Sequence, residues 1–419
     1  MTPLIFAIQL LLAVPVAIVL ALTAIWYIFE SGNTVLFESF AQKMFSGIEN
    51  YGLLAIPLFM LTGELMNEGG MTKRLIAAAR VFVGGFRGGL AYINLLANMF
   101  MAAIIGSATA QIAVMARAMV PTMRREGYDQ GFAAATTAAG GLLAPVIPPS
   151  MMFVIYGVLA QIPIGDMFIA GILPGLMLSA MFAGVIALIG LKRQFPKGEW
   201  MAQREAGRAL LQCLPAALIP LAIVGGIVAG IATPTESAAV ASLIAFLVGW
   251  LVYRELPVGQ LLTMFRRTAI NASLIIFMIA AANVFGWVII YEALPQKLAA
   301  LMETMTDNPF VFLLMVNVVL LFIGMIIDGI AAIILVTPIL LPIAVSSFGI
   351  DPYQFGVVIC LNLVLGLLTP PVGVGLYITS AVSDTTPGHI LRALWPFLIA
   401  VAVALVLLSY FPILTTAFL

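Results

Sequence analysis

Two short segments of this sequence place prolines inside long apolar stretches. They are GLLAPVIPPS (141–150) and, 225 residues later, GLLTPPVGVG (366–375). Proline lacks a backbone N–H and clashes with the preceding turn, so each cluster predicts a helix that is broken at membrane depth. Unwound backbone exposes carbonyl oxygens that suit hard monovalent cations, and half-helix N-termini present N–H groups that suit an anion. Both segments are therefore candidate binding sites, with simple packing kinks as the alternative.

Each proline cluster follows a short run of small residues, GSATA (106–110) in the first case and DGIAA (328–332) in the second. Such runs favour tight turns, and we expect each to form the tip of a hairpin that faces the proline-broken helix. Asp328 is an acid in an apolar segment, and intramembrane acids are functional by default. We expect Asp328 to coordinate a cation, with capping of the hairpin as the alternative role.

Other polar residues in apolar segments have two or more interpretations. Asn94, Asn317 and Asn362 are either ligands or hydrogen-bonding contacts between helices. Arg117 could meet a substrate carboxylate, pair with Glu64 or extend to the membrane surface.

The composition excludes most soluble classes of protein. The chain has 419 residues, of which 63% are hydrophobic and 9% charged, and its formal net charge is zero. Apolar runs of about 18 residues or more are typical of transmembrane helices, so the sequence predicts a polytopic membrane protein in a lipid bilayer. The neutral balance argues against nucleic acid as a partner. Two cysteines in separate segments are too few for a disulfide framework or a metal cluster.

Basic residues predict the orientation in the membrane. The positive-inside rule assigns the loops that carry most Lys and Arg to the cytoplasm. Fifteen of the 18 Lys and Arg fall in alternate loops, which we assign to the cytoplasm: Lys73, Arg74, Arg80, Arg87, Arg124, Arg125, Lys192, Arg193, Lys197, Arg204, Arg208, Arg254, Arg266, Arg267 and Arg392.

Length and charge together predict two re-entrant hairpins. Arg87 and Arg124 fall on one side, yet the 35 residues of 89–123 between them are largely apolar. Two full crossings need roughly 40 residues and a turn, so this segment must enter and return on the same side. The second copy, 309–347, has no Lys or Arg at either base and is predicted to open to the outside. Two copies of opposite orientation indicate an inverted-repeat transporter.

The predicted fold is an all-α polytopic membrane protein with two inverted-topology repeats. Each repeat has a re-entrant helical hairpin and a proline-broken transmembrane helix, as in elevator-type transporters. The predicted divisions are a first repeat at 1–191 (hairpin 89–125, broken helix 129–161), a linker and connecting span at 192–235, and a second repeat at 236–419 (hairpin 309–347, broken helix 352–382).

The remaining predicted crossings give a closed topology. They lie near 4–28, 52–67, 171–191, 213–232, 236–253, 270–291 and 393–417. We expect the N-terminal residues to be cytoplasmic and the C-terminus to be periplasmic. Amphipathic arms near 69–88 and 293–307 precede the hairpins, as interfacial helices would.

Three motifs are similar to those of a known family. They are GSATAQIAVMARAMVPTMRREGYDQGFAAATTAAGGLLAPVIPPS (106–150), GIATPTESAAVAS (230–242) and LNLVLGLLTPPVGVGLYITS (361–380). In combination, and over nearly the whole chain, they resemble the large membrane subunit of tripartite ATP-independent periplasmic (TRAP) transporters. The resemblance implies sodium-driven, elevator-type uptake of a small organic anion, a carboxylate or a sulfonate, across the bacterial inner membrane. It also implies two protein partners, a small four-helix membrane subunit on a separate chain and a periplasmic substrate-binding protein.

The resemblance also assigns roles to residues by position. The first sodium (Na⁺) site would use Ser107 with carbonyls near Pro145, with Asn94 as a further candidate ligand. The second would use Asp328 and Gly329 with Gly366 and Thr369. Substrate would lie between them, near Thr109, Pro149 and Ser150, with Arg117 as a further candidate. Some relatives have an acid where this chain has Gln111, which bears on substrate choice.

Three other functions are alternatives to this one. A stand-alone sodium/dicarboxylate symporter of the divalent-anion type would share the hairpins but need no binding protein. Physical arguments from the sequence alone barely distinguish this symporter from a TRAP permease. A proton-pumping antiporter subunit needs chains of intramembrane Lys, His or Glu, whereas this sequence has one His. An enzyme is not expected, because no H-E-x-x-H motif or evident catalytic pair occurs. The sequence does not specify which anion is carried, how many sodium ions accompany it or the oligomeric state.

Overall fold

A computed structural model describes residues 2–193, 195–196, 198 and 200–419, apart from the side chain of Pro3. Lys197, one of the charges used for orientation, lies outside the described residues. Within them the chain forms twenty α-helices. Their bounds are α1 Thr2–Leu11, α2 Val16–Glu30, α3 Leu36–Ser46, α4 Ala55–Glu68, α5 Met71–Val83, α6 Gly89–Ile105, α7 Ala108–Arg125, α8 Gln130–Gly141, α9 Met151–Ala160, α10 Ile164–Lys192, α11 Gln203–Val228, α12 Pro234–Leu247, α13 Leu261–Tyr291, α14 Leu294–Met305, α15 Pro309–Ile326, α16 Gly329–Ser346, α17 Pro352–Leu367, α18 Val374–Ser383, α19 Pro387–Tyr410 and α20 Ile413–Thr416.

Long apolar helices confirm a polytopic membrane protein. Among the described residues, seven helices are long and apolar enough to cross a bilayer, and α3 with the bent segment that follows it would be an eighth. The seven include both arms of the second hairpin, α15 and α16, by length and composition alone. The return of these two arms at half depth, as in a re-entrant hairpin, stays a prediction.

Each predicted hairpin and each predicted broken helix consists of two helices in the structure. α6 and α7 form the first hairpin and are joined by two residues; α15 and α16 form the second. α8 and α9 are separated by the first proline cluster, and α17 and α18 by the second. Each cluster also contains a cis Pro–Pro peptide bond, at Pro148–Pro149 and Pro370–Pro371. The order arm, hairpin, broken helix, long helix therefore occurs twice along the chain.

The first predicted crossing, 4–28, is wrong as one continuous span. Pro15 ends helical hydrogen bonding at this point, and Ala13 has a φ of 55°. α1 then folds back along α2, so that the backbone N–H of Thr2 donates to the Glu30 carboxylate at 3.0 Å. Residue 2 therefore lies at the Glu30 end of α2, and not at the opposite end of that helix.

Other crossings differ from prediction at their ends. α10, α11 and α13 begin before the predicted first residues of these crossings, 171, 213 and 270. The prediction counted apolar residues only, so it left out helical turns with polar residues at the ends of the helices. The 31 residues of α13, at 1.5 Å per residue, exceed a hydrocarbon core of about 30 Å. α19 ends at Tyr410 instead of 417, because Pro412 follows.

The arm α5 is anchored at its first turn. Gly70, with a φ of 75°, begins the arm, and Arg74 donates to its carbonyl at 2.7 Å. Arg74 also stacks on Tyr253 and donates to Glu255 at 2.9 Å, in the loop after α12. This hydrogen bond lowers the pKa of the Glu255 carboxyl, which stays ionised beside Arg74. α14 is the second predicted arm and packs against α16.

The halves of the chain exchange contacts. α7 of the first hairpin packs against α18, and α16 of the second packs against α9. α8 likewise packs on α19, and α17 on α10. Hydrogen bonds cross the same boundary, because the Tyr156 hydroxyl donates to the carbonyl of Pro352 at 2.6 Å and Gln130 donates to that of Ser383 at 2.6 Å. Both hairpins and both broken helices thus form one packed unit, which we call the hairpin unit (α6–α10 and α15–α19).

A second group of helices forms a frame beside the hairpin unit. α4 packs on α12 and α2 on α13, and α13 also contacts α4. Small polar residues allow close approach between α4 and α12, where Thr62 and Ser242 share a hydrogen bond of 2.8 Å. We call α2, α4, α12 and α13 the frame.

Candidate functional site

Each hairpin tip lies against one helix break through a backbone hydrogen bond. In the first half, the N–H of Met151 donates to the carbonyl of Gly106 at 3.4 Å. In the second half, the N–H of Gly373 donates to the carbonyl of Met325 at 3.1 Å. Gly106 and Gly373 have φ values of 61° and 53°, a region that glycine adopts without strain. These contacts fix each tip to the unwound backbone that faces it.

The two tips meet at one small cavity, which we call the tip cavity. Its volume is about 20 Å³. A cavity of this size holds about one water molecule or a single ion, but no organic solute of several heavy atoms. It is lined by Gly106, Ser107, Ala108, Thr109, Pro145, Met152, Asp328, Gly329, Ile330, Leu363, Val364 and Leu367.

Four of the seven predicted cation ligands line this cavity: Ser107, Pro145, Asp328 and Gly329. Ser107 precedes α7 in extended conformation, but its hydroxyl makes no capping bond and lies 3.2 Å from that of Thr109. Thr109 is predicted to contact substrate, and here it shares the cavity with the cation candidates.

Asp328 performs the alternative role that the sequence allows. It caps α16, and its Oδ2 accepts from the N–H of Ile330 at 3.1 Å. An aspartate at this position is stabilised by the partial positive charge of the helix N-terminus. Its side chain is exposed to the cavity, so capping leaves oxygen lone pairs for a cation.

Gly366 lies in the last turn of α17 and Thr369 in the second break, and neither residue lines the tip cavity. The carbonyl of Gly366 accepts from the N–H of Thr369 at 2.9 Å, and the Thr369 hydroxyl donates to the carbonyl of Leu365 at 2.7 Å. Gly366 also packs directly on Gly324 of α15, where a Cβ on Gly366 would lie 2.6 Å from the Gly324 Cα. The position serves close helix packing.

Ser150 and Pro149 are buried within the first break. The Ser150 hydroxyl donates to the carbonyl of Pro145 at 2.7 Å and accepts from the N–H of Phe153 at 3.3 Å. Ser150 therefore bridges the break and caps α9, and the structure places neither residue in the tip cavity.

Asn94 and Gln111 belong to a buried network behind the first tip. Asn94 donates to Thr137 at 2.7 Å, and Asn98 donates to Asn94 Oδ1 at 2.9 Å. The Gln111 amide donates to both the carbonyl and the side chain of Asn98 at 2.9 Å, and to the carbonyl of Gly140 at 3.3 Å. This network ties α6, α7 and α8 together.

Asn98 and Thr137 were not predicted as site residues, although two sequence signals were present. Asn98 lies one turn after Asn94, and Thr137 precedes Asn362 by the repeat offset of 225. The second half contains the matching pair, because the Asn362 amide donates to Asn317 Oδ1 at 2.9 Å. The interpretation of these asparagines as contacts between helices is the one that these hydrogen bonds support.

A larger cavity adjoins the tip cavity on the side of the frame. Its volume is about 330 Å³, within the usual range for small-molecule sites, and we call it the frame cavity. It shares Ser107 and Ile330 with the tip cavity. Its lining residues are Met60, Gly63, Glu64, Asn67, Ile105, Ser107, Ala110, Val114, Met151, Arg267, Thr268, Asn271, Ile275 and Ile330.

Arg117 does not pair with Glu64, which was one predicted alternative. Glu64 pairs with Arg267 of α13. Arg117 is exposed on α7, and helical spacing places it on the same face as Ala110 and Val114, about one turn beyond the frame cavity.

A third cavity, of about 700 Å³, lies between α2, α13 and the second hairpin. Its lining is mostly apolar, and its charged residues are Glu30 and Glu292. Acidic groups repel an anion, so this crevice does not match the predicted solute.

Comparison with known proteins identifies the family. Residues 4–414 match the family model described as "Tripartite ATP-independent periplasmic transporter, DctM component". The sialic acid TRAP transporter large permease of Vibrio cholerae is 38% identical over 89% of this chain and 87% of its own length. The 2,3-diketo-L-gulonate TRAP transporter large permease of Escherichia coli is 34% identical over 94% of both chains. The C4-dicarboxylate TRAP transporter large permease of Pseudomonas aeruginosa is 37% identical over 91% of this chain and 89% of its own.

Solved structures show the same fold at low sequence identity. The YdaH transporter of Alcanivorax borkumensis superimposes with a TM-score of 0.66 over 91% of this chain and 89% of its own, at 14% identity. MtrF of Neisseria gonorrhoeae gives a TM-score of 0.61 over 91% of this chain and 85% of its own, at 12% identity. The relatives are transporter permeases and not enzymes. The chain belongs to the family of large membrane permeases, the DctM component, of tripartite ATP-independent periplasmic transporters.

Proposed function

We propose that this permease carries out sodium-coupled uptake of a small organic anion across the bacterial inner membrane. A periplasmic binding protein delivers the anion, and a small four-helix membrane subunit on a separate chain completes the transporter. The hairpin unit moves against the frame in an elevator mechanism. Family membership supports the class of transporter; the coupling ion, the movement and the partners are proposed.

The observation that carries the proposal is the pair of adjoining cavities of unequal size. The tip cavity of about 20 Å³ accepts one ion, and the frame cavity of about 330 Å³ accepts a solute. Ser107 and Ile330 line both cavities, so an ion and a solute would bind next to each other. Close attraction between a cation and an anion gives a physical basis for coupled transport.

The donors around the tip cavity fit sodium. They are the Asp328 carboxylate, the hydroxyls of Ser107 and Thr109, and backbone carbonyls next to the helix breaks. Hard oxygen donors of this kind, supplied by unwound helices, are typical of sodium sites in transporters. A bound cation would supply positive charge that offsets Asp328. Met152, Leu363 and Leu367 form an apolar part of the cavity lining.

An elevator movement is supported by how the helices pack. Each hairpin contacts the broken helix of the other half, so both tips and both breaks must move together. α13 and α4 contact this unit through α16 and α6 respectively. We propose that the hairpin unit slides along this boundary, and that the two repeats are inverted as the charge pattern predicts.

The substrate class rests on the relatives. Their printed names include sialic acid, 2,3-diketo-L-gulonate and C4-dicarboxylates, and a further relative from Oleidesulfovibrio alaskensis is an isethionate permease. These compounds are carboxylates or, for isethionate, a sulfonate. We propose a small organic anion with one of these two groups.

Uptake into proteoliposomes tests the proposal. The permease is reconstituted with its small subunit, and its binding protein is added outside with each of the four anions in turn. We expect uptake of at least one anion under an inward sodium gradient, and loss of uptake when potassium or choline replaces sodium. Uptake driven by a pH gradient alone would contradict sodium coupling. Full uptake without the binding protein would favour the stand-alone symporter.

A further inference from the structure

Polar side chains of the frame form a continuous wall that faces the first hairpin tip. On α13, Arg267 and Asn271 are one turn apart, and Thr268 lies beside them. On α4, Glu64 and Asn67 occupy the facing surface. Polar and charged residues inside membrane helices are costly and are typical of a solute or ion pathway. Ile275, two turns after Thr268 on α13, is the last residue of this helix that lines the cavity.

The charged end of this wall is an ion pair with unequal exposure. Arg267 Nη1 contacts Glu64 Oε1, and the Arg267 side chain is 57% exposed whereas that of Glu64 is 21% exposed. Arg267 thus keeps donors for another partner, since a guanidinium has five N–H groups and this pair uses one of them. Arg266, the adjacent residue, is also exposed but does not line the cavity.

A second arginine lies on α7, about one turn beyond the residues of that helix that line the cavity. Arg117 follows Val114 by about one turn on the face of α7 that lines the cavity. It is exposed, and the described residues include no ion-pair partner for it. Arg267 and Arg117 both carry exposed positive charge, which attracts an anion.

We infer that the frame contributes its own contact to the transported anion in the frame cavity, through Arg267 of α13. Arg267 contacts the carboxylate or sulfonate group as the anion passes between the tips and the membrane surface. Glu64 is the counter-charge that keeps Arg267 in place and prevents it from holding the anion too tightly. This inference rests on the proposed function, because it assumes an organic anion as the solute.

Charged thiol reagents test the site without partner proteins or a known substrate. Asn271→Cys is introduced in a chain in which Cys213 and Cys360, both buried, are replaced by alanine. Inside-out vesicles are treated with the anionic sulfonatoethyl or the cationic trimethylammonium-ethyl methanethiosulfonate. The ratio of anionic to cationic labelling rates measures the local potential. Arg267→Gln is expected to lower this ratio about threefold or more, and Glu64→Gln to raise it about as much.

Arg266→Gln is the matched control, because it removes the same charge one residue away. It is expected to change the ratio by less than about twofold. Arg267→Lys keeps the charge and is expected to retain the ratio of the parent chain, which shows that the cavity is intact. Equal ratios for Arg267→Gln and Arg266→Gln, or an Asn271→Cys thiol that neither reagent labels, would overturn the inference. Failure of the proposed function would appear separately, as absent sodium-dependent uptake by the unmodified chain.

Discussion

At the scale of single residues, Asp328 performs one role visibly and is proposed to perform a second. It caps α16 as Asp351 caps α17 and Asp129 caps α8. Of these three aspartates, Asp328 lines the tip cavity. Three capping aspartates with similar backbone dihedral angles therefore allow the two roles to be separated.

Asp328→Asn should weaken the apparent sodium affinity of uptake by about ten- to a hundredfold. The amide can still accept the hydrogen bond from Ile330. The substitution removes, however, a charge-assisted contact of roughly 1.5–3 kcal/mol between the carboxylate and the cation. Asp351→Asn makes the same change at a cap outside the cavity and should leave the sodium curve unchanged. A sodium curve for Asp328→Asn within about twofold of the parent would assign the residue to capping alone.

The sequence predicted which polar residues lie close to the first hairpin tip, but not which of their side chains face the cavity. Ser107 and Thr109 line the tip cavity, whereas Gln111, two residues further on, is fully buried and binds α6 and α8. A shift of two residues along a helix is a rotation of about 200°, so a site inferred from proximity in sequence includes both faces. Tertiary packing decides which face meets the cavity.

At the scale of helices, the breaks and hairpins were predictable because their causes are local. Proline and glycine act through the backbone of the residues next to them. The first crossing was predicted wrongly although a local signal was present. Pro15 carries the same local signal, but the apolar residues on both sides of it resembled one span. The fold-back of α1 depends on contacts with α2, and hydropathy does not contain this information.

Gly366→Ala should destabilise the protein by about 1–3 kcal/mol, as overpacking in a close contact does. Its Cβ would lie 2.6 Å from the Cα of Gly324 and 2.8 Å from the amide nitrogen of Met325, and backbone atoms cannot move aside locally. Gly207→Ala is the control, because a Cβ at this position in α11 would meet no atom within 4 Å apart from the neighbouring backbone of its own helix. Thermal unfolding in detergent compares the two. A melting temperature for Gly366→Ala equal to that for Gly207→Ala would contradict the close packing of α15 on α17.

At the scale of the whole molecule, the repeats and the charge pattern predicted the order of the hairpins and broken helices along the chain. They did not predict which helices pack against each other. The offset of 225 residues pairs the two broken helices, but it does not show that α7 packs on α18 and α16 on α9. The frame cavity was likewise not predicted, since Glu64 and Arg267 are 203 residues apart. Only the folded chain brings them together.

Inverted repeats should place the bases of the two hairpins on opposite sides of the membrane. Thr122 lies near the base of the first hairpin and Ser347 at the base of the second, and both are exposed. Single cysteines at these positions, in a background without Cys213 and Cys360, are labelled with an impermeant maleimide in vesicles of known orientation. Thr122→Cys should react from the cytoplasmic side and Ser347→Cys from the periplasmic side. Labelling of both from one side would show that the repeats are not inverted.

A sodium ion bound between the two hairpin tips should protect the tip cavity from thiol reagents. Ile330 lines the cavity without a proposed ligand role, so Ile330→Cys reports occupancy in purified protein that lacks the native cysteines. Its rate of maleimide labelling is measured in sodium and in potassium at equal ionic strength, with Ser347→Cys at the other end of α16 as the control. We expect sodium to slow labelling of the Ile330→Cys thiol several-fold, and we expect the addition of Asp328→Asn to remove this protection. The Ser347→Cys thiol should react equally in both salts. Equal labelling of Ile330→Cys in sodium and potassium, with Asp328 intact, would contradict a sodium site between the tips.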